Sequence, residues 1–283
     1  MSGPAAPGPA DLRHHMSEYF RLERWEIPPA DGEGFSAFGG RIPIDDHHRG
    51  AGGGLRTGAL VTNLDSVGGF LSGLSVLPRW IVTTDLMVTV AHLEHRGPIR
   101  VHGQVLRRGR NAVVAGITAV DEGRDDRTVA AATGTFAVLD PGGMNLEFTR
   151  PAGMPMPPVN PDAPGPEEFF RIEPGLGPVT RLALADHLRN PWGILHGGAV
   201  AMLVDVASCR AVESAAVPSS GGTGSAAADT VLHYLRPARV GPIEARCRML
   251  GGPPGRTLVR VAVHDVGAHD RLVALGAVTV LEV

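Results

Sequence analysis

The chain has 283 residues, 43% of them apolar, and a formal net charge of -3 at pH 7. This composition is typical of a globular protein of one or two domains, and it lacks the basic surplus of a nucleic-acid-binding protein. All 26 basic residues are arginine, which excludes a lysine Schiff base and the lysine of a phosphate-binding P-loop.

The cysteines and the hydropathy of the sequence indicate the cellular compartment of the protein. Cys209 and Cys247 are far apart and form no CxxC pair, so neither a disulfide framework nor a zinc ribbon is expected. The histidine pairs at 14–15 and 47–48 lack metal-ligand spacing, and we expect no metal site. No run reaches 18 apolar residues, and the amino terminus lacks the apolar core of a signal peptide. We therefore expect a cytoplasmic protein without a membrane span.

An internal repeat follows a Pro- and Gly-rich lead at 1–16, which is predicted to be disordered. The motif EYFRLE at 18–23 returns as EFFRIE at 168–173. Further on, a block spaced by 140 residues recurs: Arg41, Asp46, His47, Arg49, Gly58 and Asp65 correspond to Arg181, Asp186, His187, Arg189, Gly198 and Asp205. The sequence GPI at 97–99 recurs at 241–243. Matching blocks in the same order indicate a duplication.

Each copy has the same predicted elements. Apolar helices are predicted at 57–76 and 197–216. Four β-rich runs follow each helix, at 82–91, 99–107, 112–120 and 128–139, and at 230–235, 243–250, 257–264 and 272–281. Short turns favour antiparallel hairpins, so we predict an α+β fold in which each sheet wraps around its helix. The predicted units span 17–140 and 167–283, joined by a Pro/Gly-rich linker at 141–166.

The residues most informative about function lie at 193–211, in the segment GILHGGAVAMLVDVASCRA. Gly197 and Gly198 leave the first-turn amide groups of a helix unshielded, which is suitable for stabilising an oxyanion. Asp205 lies eight residues after Gly197, roughly 12 Å along a helix at about 1.5 Å per residue. One helix therefore cannot bring both groups to one atom, and the carboxylate must come from another element, most simply the second copy of the helix.

The sequence NPWGILHGGAVAMLVDVAS at 190–208 closely resembles the active-site segment of hotdog-fold acyl-CoA thioesterases of the phenylacetate-pathway type. The resemblance covers about 168–283 well, and the first half more faintly through the duplication. It implies a double hotdog, in which two tandem units each wrap a curved sheet around a long central helix.

The resemblance also implies the roles of individual residues. Asn190 and Gly197 match the residues that place the thioester carbonyl and the water, and His196 lies beside them. An acid on the facing helix serves as general base or nucleophile, assisted by a hydroxyl on a strand. With both copies combined, Asn190, His196 and Gly197 meet Asp65 of the first copy, and Thr83 supplies the hydroxyl.

The reciprocal combination lacks most of these groups. It would pair Gly50, Arg56 and Thr57 with Asp205, and Ala227 stands where the hydroxyl belongs. We therefore expect one working site in each chain, with Asp65 as the principal acid and Asp205 as the second candidate.

The expected function is hydrolysis of an acyl-CoA to a free acid and coenzyme A, with no cofactor beyond the coenzyme A of the substrate. The expected partners are the acyl-CoA and other copies of the chain, as a homo-oligomer of fused hotdog pairs, with no nucleic acid and no membrane. The alternative is a non-catalytic acyl-CoA-binding or regulatory protein. Acyl chain length and aryl preference stay open.

Overall fold

The computed structural model describes residues 15–27, 37–140, 154–190, 192–215 and 224–283. The helices are α1 His15–Tyr19, α2 Thr57–Leu74, α3 Pro166–Phe169 and α4 Gly197–Ala215. The first six strands are β1 Glu23–Ile27, β2 Ala37–Ile42, β3 Trp80–Val90, β4 Ile99–Arg108, β5 Ala112–Asp121 and β6 Arg127–Leu139. The others are β7 Ile172–Pro174, β8 Val179–Leu182, β9 Ser225–Tyr234, β10 Ile243–Gly251, β11 Arg256–Asp265 and β12 Arg271–Glu282.

The described strands form one antiparallel sheet in the order β1-β2-β4-β5-β6-β3-β9-β12-β11-β10-β8-β7. The order has the same pattern on both sides of its centre, where β3 pairs with β9 from Asp85 opposite His233 to Val88 opposite Thr230. We call residues 15–140 the first half and residues 154–283 the second half. The sheet is thus continuous across the two halves.

The two long helices provide most of the core. They are apolar on nearly all sides, because each is covered by its own strands on one side and by the other helix on the opposite side. The helices run antiparallel: Gly58 of α2 lies against Asp205 of α4, and Thr62 donates a hydrogen bond of 2.9 Å to the carbonyl of Gly198. Small residues at the crossing let the helix backbones approach closely, which places the amino-terminal turn of α4 beside the middle of α2.

The strands show the expected period of two. In β5, Val113, Ala115, Ile117 and Ala119 are buried, and the residues between them are partly or fully exposed. One face of the sheet therefore covers the helices, and the other faces solvent.

The predicted helices and all eight predicted strand runs overlap observed elements, and four strands follow each long helix as predicted. The sequence did not reveal two further strands before each long helix, β1 and β2 in the first half and β7 and β8 in the second, which have only three to six residues. Strand β9 begins at Ser225, before the predicted start at 230, since its first residues are too small to show a pattern.

The predicted boundaries also change. Helix α1 begins inside the predicted lead, whose residues 1–14 lie outside the described residues. Residues 141–153 of the predicted linker are likewise outside them. The described remainder of the linker bridges back to the first half, where Met154 pairs with Arg24, and ends at α3. None of the helices in the described part of the chain is long and apolar enough to cross a bilayer.

Candidate active site

Asp65 lies in the middle of α2 with its side chain turned to β3 and α4. The residue is only 4% exposed. The Thr83 hydroxyl of β3 donates a hydrogen bond of 2.8 Å to Asp65 Oδ1. The predicted pairing of this acid with a strand hydroxyl is therefore present, and it leaves Oδ2 directed elsewhere.

Gly197, the first residue of α4, faces that second oxygen. A Cβ at Gly197 would lie 2.8 Å from Asp65 Oδ2, closer than side-chain carbons normally approach. A residue without a side chain is thus needed for the helix terminus to reach the carboxylate. Among the described residues, no acceptor takes the Gly197 N–H, which is one of the unpaired donors of a helix start. The first residue of α4 and the buried acid of α2 are therefore close neighbours across the two halves.

His196 and Asn190 shape the loop that leads into α4. The His196 Nδ1 accepts a hydrogen bond of 3.0 Å from the Gly198 N–H, so this side chain caps the helix. The Asn190 Oδ1 accepts from the backbone N–H of Trp192 at 3.0 Å and of Ile194 at 3.3 Å. The carboxamide oxygen is thereby occupied by two hydrogen bonds within the turn. The Nδ2 group is the part of Asn190 that could donate to a ligand.

Tyr234, at the end of β9, was missed by the sequence reasoning. Its hydroxyl donates a hydrogen bond of 3.0 Å to the Gly197 carbonyl. Its oxygen would lie 3.4 Å from a Cβ at Gly197, the same point that Asp65 approaches. The one available signal is a difference between the copies, since the spacing of 144 that aligns the GPI segments places Val90 opposite Tyr234.

Burial changes the acidity of Asp65 and of Tyr234. Desolvation raises the pKa of Asp65 from 3.8 to about 6, and the hydrogen bond from Thr83 opposes that rise only in part. Burial, followed by the charge of Asp65, raises the pKa of Tyr234 well above its usual value. Near neutral pH the site thus holds an ionised carboxylate that readily takes a proton, next to a neutral phenol.

The reciprocal site, formed by Gly50, Arg56, Thr57, Ala227 and Asp205, is arranged differently. Asp205 is also buried, but the Arg56 Nε donates to its Oδ2 at 2.5 Å. The Thr57 hydroxyl donates to the Ala227 carbonyl at 2.5 Å. Asp205 is therefore held in an ion pair, and no hydroxyl side chain stands where Thr83 does.

A cavity of about 200 Å³ opens at the reciprocal site. Its walls include Arg56, Arg210 and Glu167, and Glu167 pairs with both arginines. Cys209 also lines this cavity, and burial raises the pKa of its thiol to about 12, which keeps it protonated. Both arginines of this cavity are paired with acids, so its chemistry differs from that around Asp65.

One group of potential metal ligands lies closer together than the sequence indicated. Ligand atoms of Asp45, His47 and His48 lie within 4.8 Å of one another. Both carboxylate oxygens of Asp45 accept from Arg21, at 3.0 and 3.2 Å. The carboxylate charge is therefore already compensated by a guanidinium.

The comparisons with known proteins address the fold. Three solved structures align with most of this chain. A putative oleoyl thioesterase from Lactobacillus plantarum has a TM-score of 0.59 at 9% identity, covering 91% of this chain and 98% of its own. A conserved protein of unknown function with a hot dog fold, from Alicyclobacillus acidocaldarius, has a TM-score of 0.54 at 14% identity, covering 96% and 99%. An acyl-ACP thioesterase from Bacteroides thetaiotaomicron has a TM-score of 0.52 at 14% identity, covering 86% and 97%.

The sequence comparisons match a shorter part of the chain than the structural comparisons do. No curated protein matches the chain. The family model of the thioesterase superfamily matches residues 193–265, which contain the start of α4 and Tyr234. The chain thus has a hotdog fold, and its segment 193–265 is similar to the thioesterase superfamily.

Proposed function

We propose that the protein is an acyl-CoA thioesterase with one composite site, formed by Asp65 and Thr83 of the first half and Gly197, His196 and Asn190 of the second. The single observation that carries the proposal is the close approach of the buried Asp65 carboxylate to Gly197, the first residue of α4, whose N–H has no acceptor among the described residues. An acid and an oxyanion donor on opposite sides of one gap are the two elements that acyl transfer to water requires.

The chemistry follows from those two groups. The Gly197 N–H donates to the thioester carbonyl oxygen as negative charge develops there. Asp65 takes a proton from water while the water oxygen bonds to the carbonyl carbon. When the tetrahedral intermediate collapses, the carbon–sulfur bond breaks, and the thiolate takes the proton back from Asp65. Direct attack by the carboxylate, through an anhydride that water then hydrolyses, uses the same two groups.

We further propose that the two halves are tandem hotdog units. The matching strand orders on both sides of the β3–β9 junction, and the antiparallel crossing of α2 and α4, support this proposal. In such an arrangement two sites are geometrically possible. The ion pair of Asp205 with Arg56 argues that the reciprocal site has lost activity.

Release of free thiol is the test. Purified protein is incubated with short-chain, long-chain and aryl acyl-CoAs, and the liberated thiol is measured. Turnover of at least one of them supports the thioesterase. Tight binding of acyl-CoA without thiol release would support the non-catalytic binding protein instead.

The acidity of Asp65 predicts a pH dependence. Because the carboxylate must be ionised to accept a proton, kcat/KM is expected to rise about tenfold per pH unit below pH 6 and to level off above pH 7. Thr83 donates to the Asp65 carboxylate and Tyr234 lies beside it, and neither of these two side chains changes its charge in that range. A profile that stays flat from pH 4.5 to 7.5 would contradict the assignment of Asp65 as base.

Loss of the Tyr234 hydroxyl is expected to lower kcat about tenfold with little change in KM. Tyr234→Phe keeps the ring but removes the hydrogen bond that holds the Gly197 peptide in place. Tyr19→Phe is the matched control, since its hydroxyl donates to the Pro164 carbonyl at 2.9 Å, away from Asp65. Equal kinetics of the two variants would show that Tyr234 does not position the amide.

A further inference from the structure

Four arginines gather around the turn between β4 and β5. Arg107 and Arg108 are the last residues of β4, and Arg110 lies in the turn itself. Arg79, immediately before β3, donates from its guanidinium to the Arg110 carbonyl at 2.9 Å. The Arg107 guanidinium folds back over the turn, 3.9 Å from where a Cβ of Gly109 would lie. The four side chains are exposed, and we call them the arginine cluster.

The arginine cluster is connected to the loop of the candidate active site. Trp80 follows Arg79, and its ring centroid lies 6.2 Å from that of Trp192. Trp192 in turn donates its backbone N–H to Asn190 Oδ1. The buried indole N–H of Trp192 has no acceptor among the described residues. Two indole rings thus lie between the arginine cluster and the site loop.

The other half has none of these features at the equivalent places. The spacing of 144 places Gly251, Gly252 and Pro254 opposite Arg107, Arg108 and Arg110. Gly224 stands opposite Trp80, and the spacing of 140 places Gly52 opposite Trp192. The arginines at the β4–β5 turn and the indole pair are therefore not repeated at the equivalent positions of the second half, where the β10–β11 turn at 252–255 contains no charged residue.

The charges of Arg79, Arg107 and Arg110 are available to a ligand. Among the ion pairs of the described residues, none involves Arg79, Arg107 or Arg110. Guanidinium groups match phosphate oxygens in a fork geometry, and indole faces stack on planar heteroaromatic rings. A ligand that satisfies both features carries phosphates and an aromatic base, on an arm that reaches from the surface to the Gly197 amide.

We propose that the arginine cluster, together with Trp80 and Trp192, binds the nucleotide phosphate portion of the thiol leaving group. This inference rests on the proposed function, because it assigns the substrate to thioesters of a nucleotide-bearing thiol. A thioester on a carrier protein, whose phosphopantetheine arm lacks the nucleotide, is the competing source of phosphate.

The test compares substrates that share one acyl group. The wild-type protein and the R79Q/R107Q/R110Q variant are assayed on the thioesters of coenzyme A, of phosphopantetheine and of N-acetylcysteamine, which carries no phosphate. The R248Q/R256Q/R260Q variant, with the same change in charge on exposed positions of the second half, is the control. Each exposed ion pair with a phosphate is expected to contribute about twofold, so the three changes together are expected to lower kcat/KM for the coenzyme A thioester roughly tenfold.

The expected result is a fall in the ratio of kcat/KM between coenzyme A and N-acetylcysteamine thioesters in the first variant and not in the control. Binding of free coenzyme A, measured by calorimetry, is expected to weaken by the same factor in the first variant. An unchanged ratio and unchanged binding would overturn the proposal, as would an equal loss on the phosphopantetheine thioester. Absence of all turnover would contradict the thioesterase, whereas the calorimetric comparison would still decide whether the cluster binds the nucleotide.

Discussion

Asp65→Asn is expected to lower kcat by about a thousandfold, because the amide cannot accept the proton of the attacking water or act as a nucleophile. The substitution keeps the size of the side chain and its contact with Thr83, so the distance between this side chain and Gly197 is expected to stay the same. The measurement is thiol release at saturating acyl-CoA near pH 7.5. Retention of more than a tenth of wild-type kcat would show that this carboxylate is not the base.

The same variant has a second readout that separates catalysis from folding. The pKa of Asp65 in the folded protein is raised from 3.8 to about 6, so the folded state binds the proton more tightly than the unfolded chain does. Above pH 6 this buried charge lowers the free energy of unfolding by up to about 3 kcal/mol, and below pH 4 the cost disappears. Asp65→Asn is therefore expected to raise the melting temperature at pH 7.5 and to leave it nearly unchanged at pH 3.5.

Gly197→Ala is expected to lower kcat by about a hundredfold, comparable to the loss of one oxyanion donor, because the added methyl group would keep the thioester carbonyl away from the Gly197 N–H. The added methyl group would lie 2.8 Å from Asp65 Oδ2 and 3.4 Å from the Tyr234 oxygen, so it would displace the acid and fill the space that the thioester carbonyl needs. Alanine is a good helix residue, and the backbone at this position requires no left-handed conformation. The effect should therefore appear in the kinetics and not as unfolding.

The control for that substitution is Gly165→Ala. Gly165 precedes α3, has no atom within 4 Å of its expected Cβ, and has a φ of -61° that any residue adopts. Thiol release and melting temperature are measured for both variants. Equal activity of Gly197→Ala and Gly165→Ala would show that the first turn of α4 does not face the reacting carbonyl.

The long helices and central strands were predictable because each has a strong local pattern. An unbroken apolar run in α4 and the alternation in β5 are properties of the residues themselves. The edge strands were missed for the opposite reason. Strand β7 has three residues, and β2 contains two adjacent glycines, so their pairing depends on a neighbouring strand that the sequence does not reveal.

The candidate site was predictable only as far as the repeat could align it. The repeat showed that Asp65 and Asp205 occupy equivalent positions. Because Gly197 and Asp205 are too far apart along one helix to act on the same atom, the carboxylate had to come from a second element. The role of Tyr234 could not be derived, because it depends on which residue of β9 reaches the turn of α4 across the sheet. Likewise, the ion pair between Arg56 and Asp205 depends on the depth at which the two helices cross.

The differences between the two halves therefore carry the functional information. Both halves retain the loop before the long helix, in which Gly50 and Asn190 occupy equivalent places and both backbones close the same turn. At this place only Asn190 has a side chain that can act on a ligand. Only the first half has a strand hydroxyl, Thr83, in contact with its helix acid. This division is the basis for proposing a single centre that combines Asp65 and Thr83 with the loop of the second half.

The most direct test of this account compares Asp65→Asn with Asp205→Asn, recording thiol release and melting temperature for both at pH 7.5. Asp65→Asn is predicted to be inactive and more stable. Asp205→Asn is predicted to keep its kcat and to lose about 2 kcal/mol of stability, because it leaves the largely buried Arg56 without its closest partner. Loss of activity in Asp205→Asn with normal activity in Asp65→Asn would contradict the account.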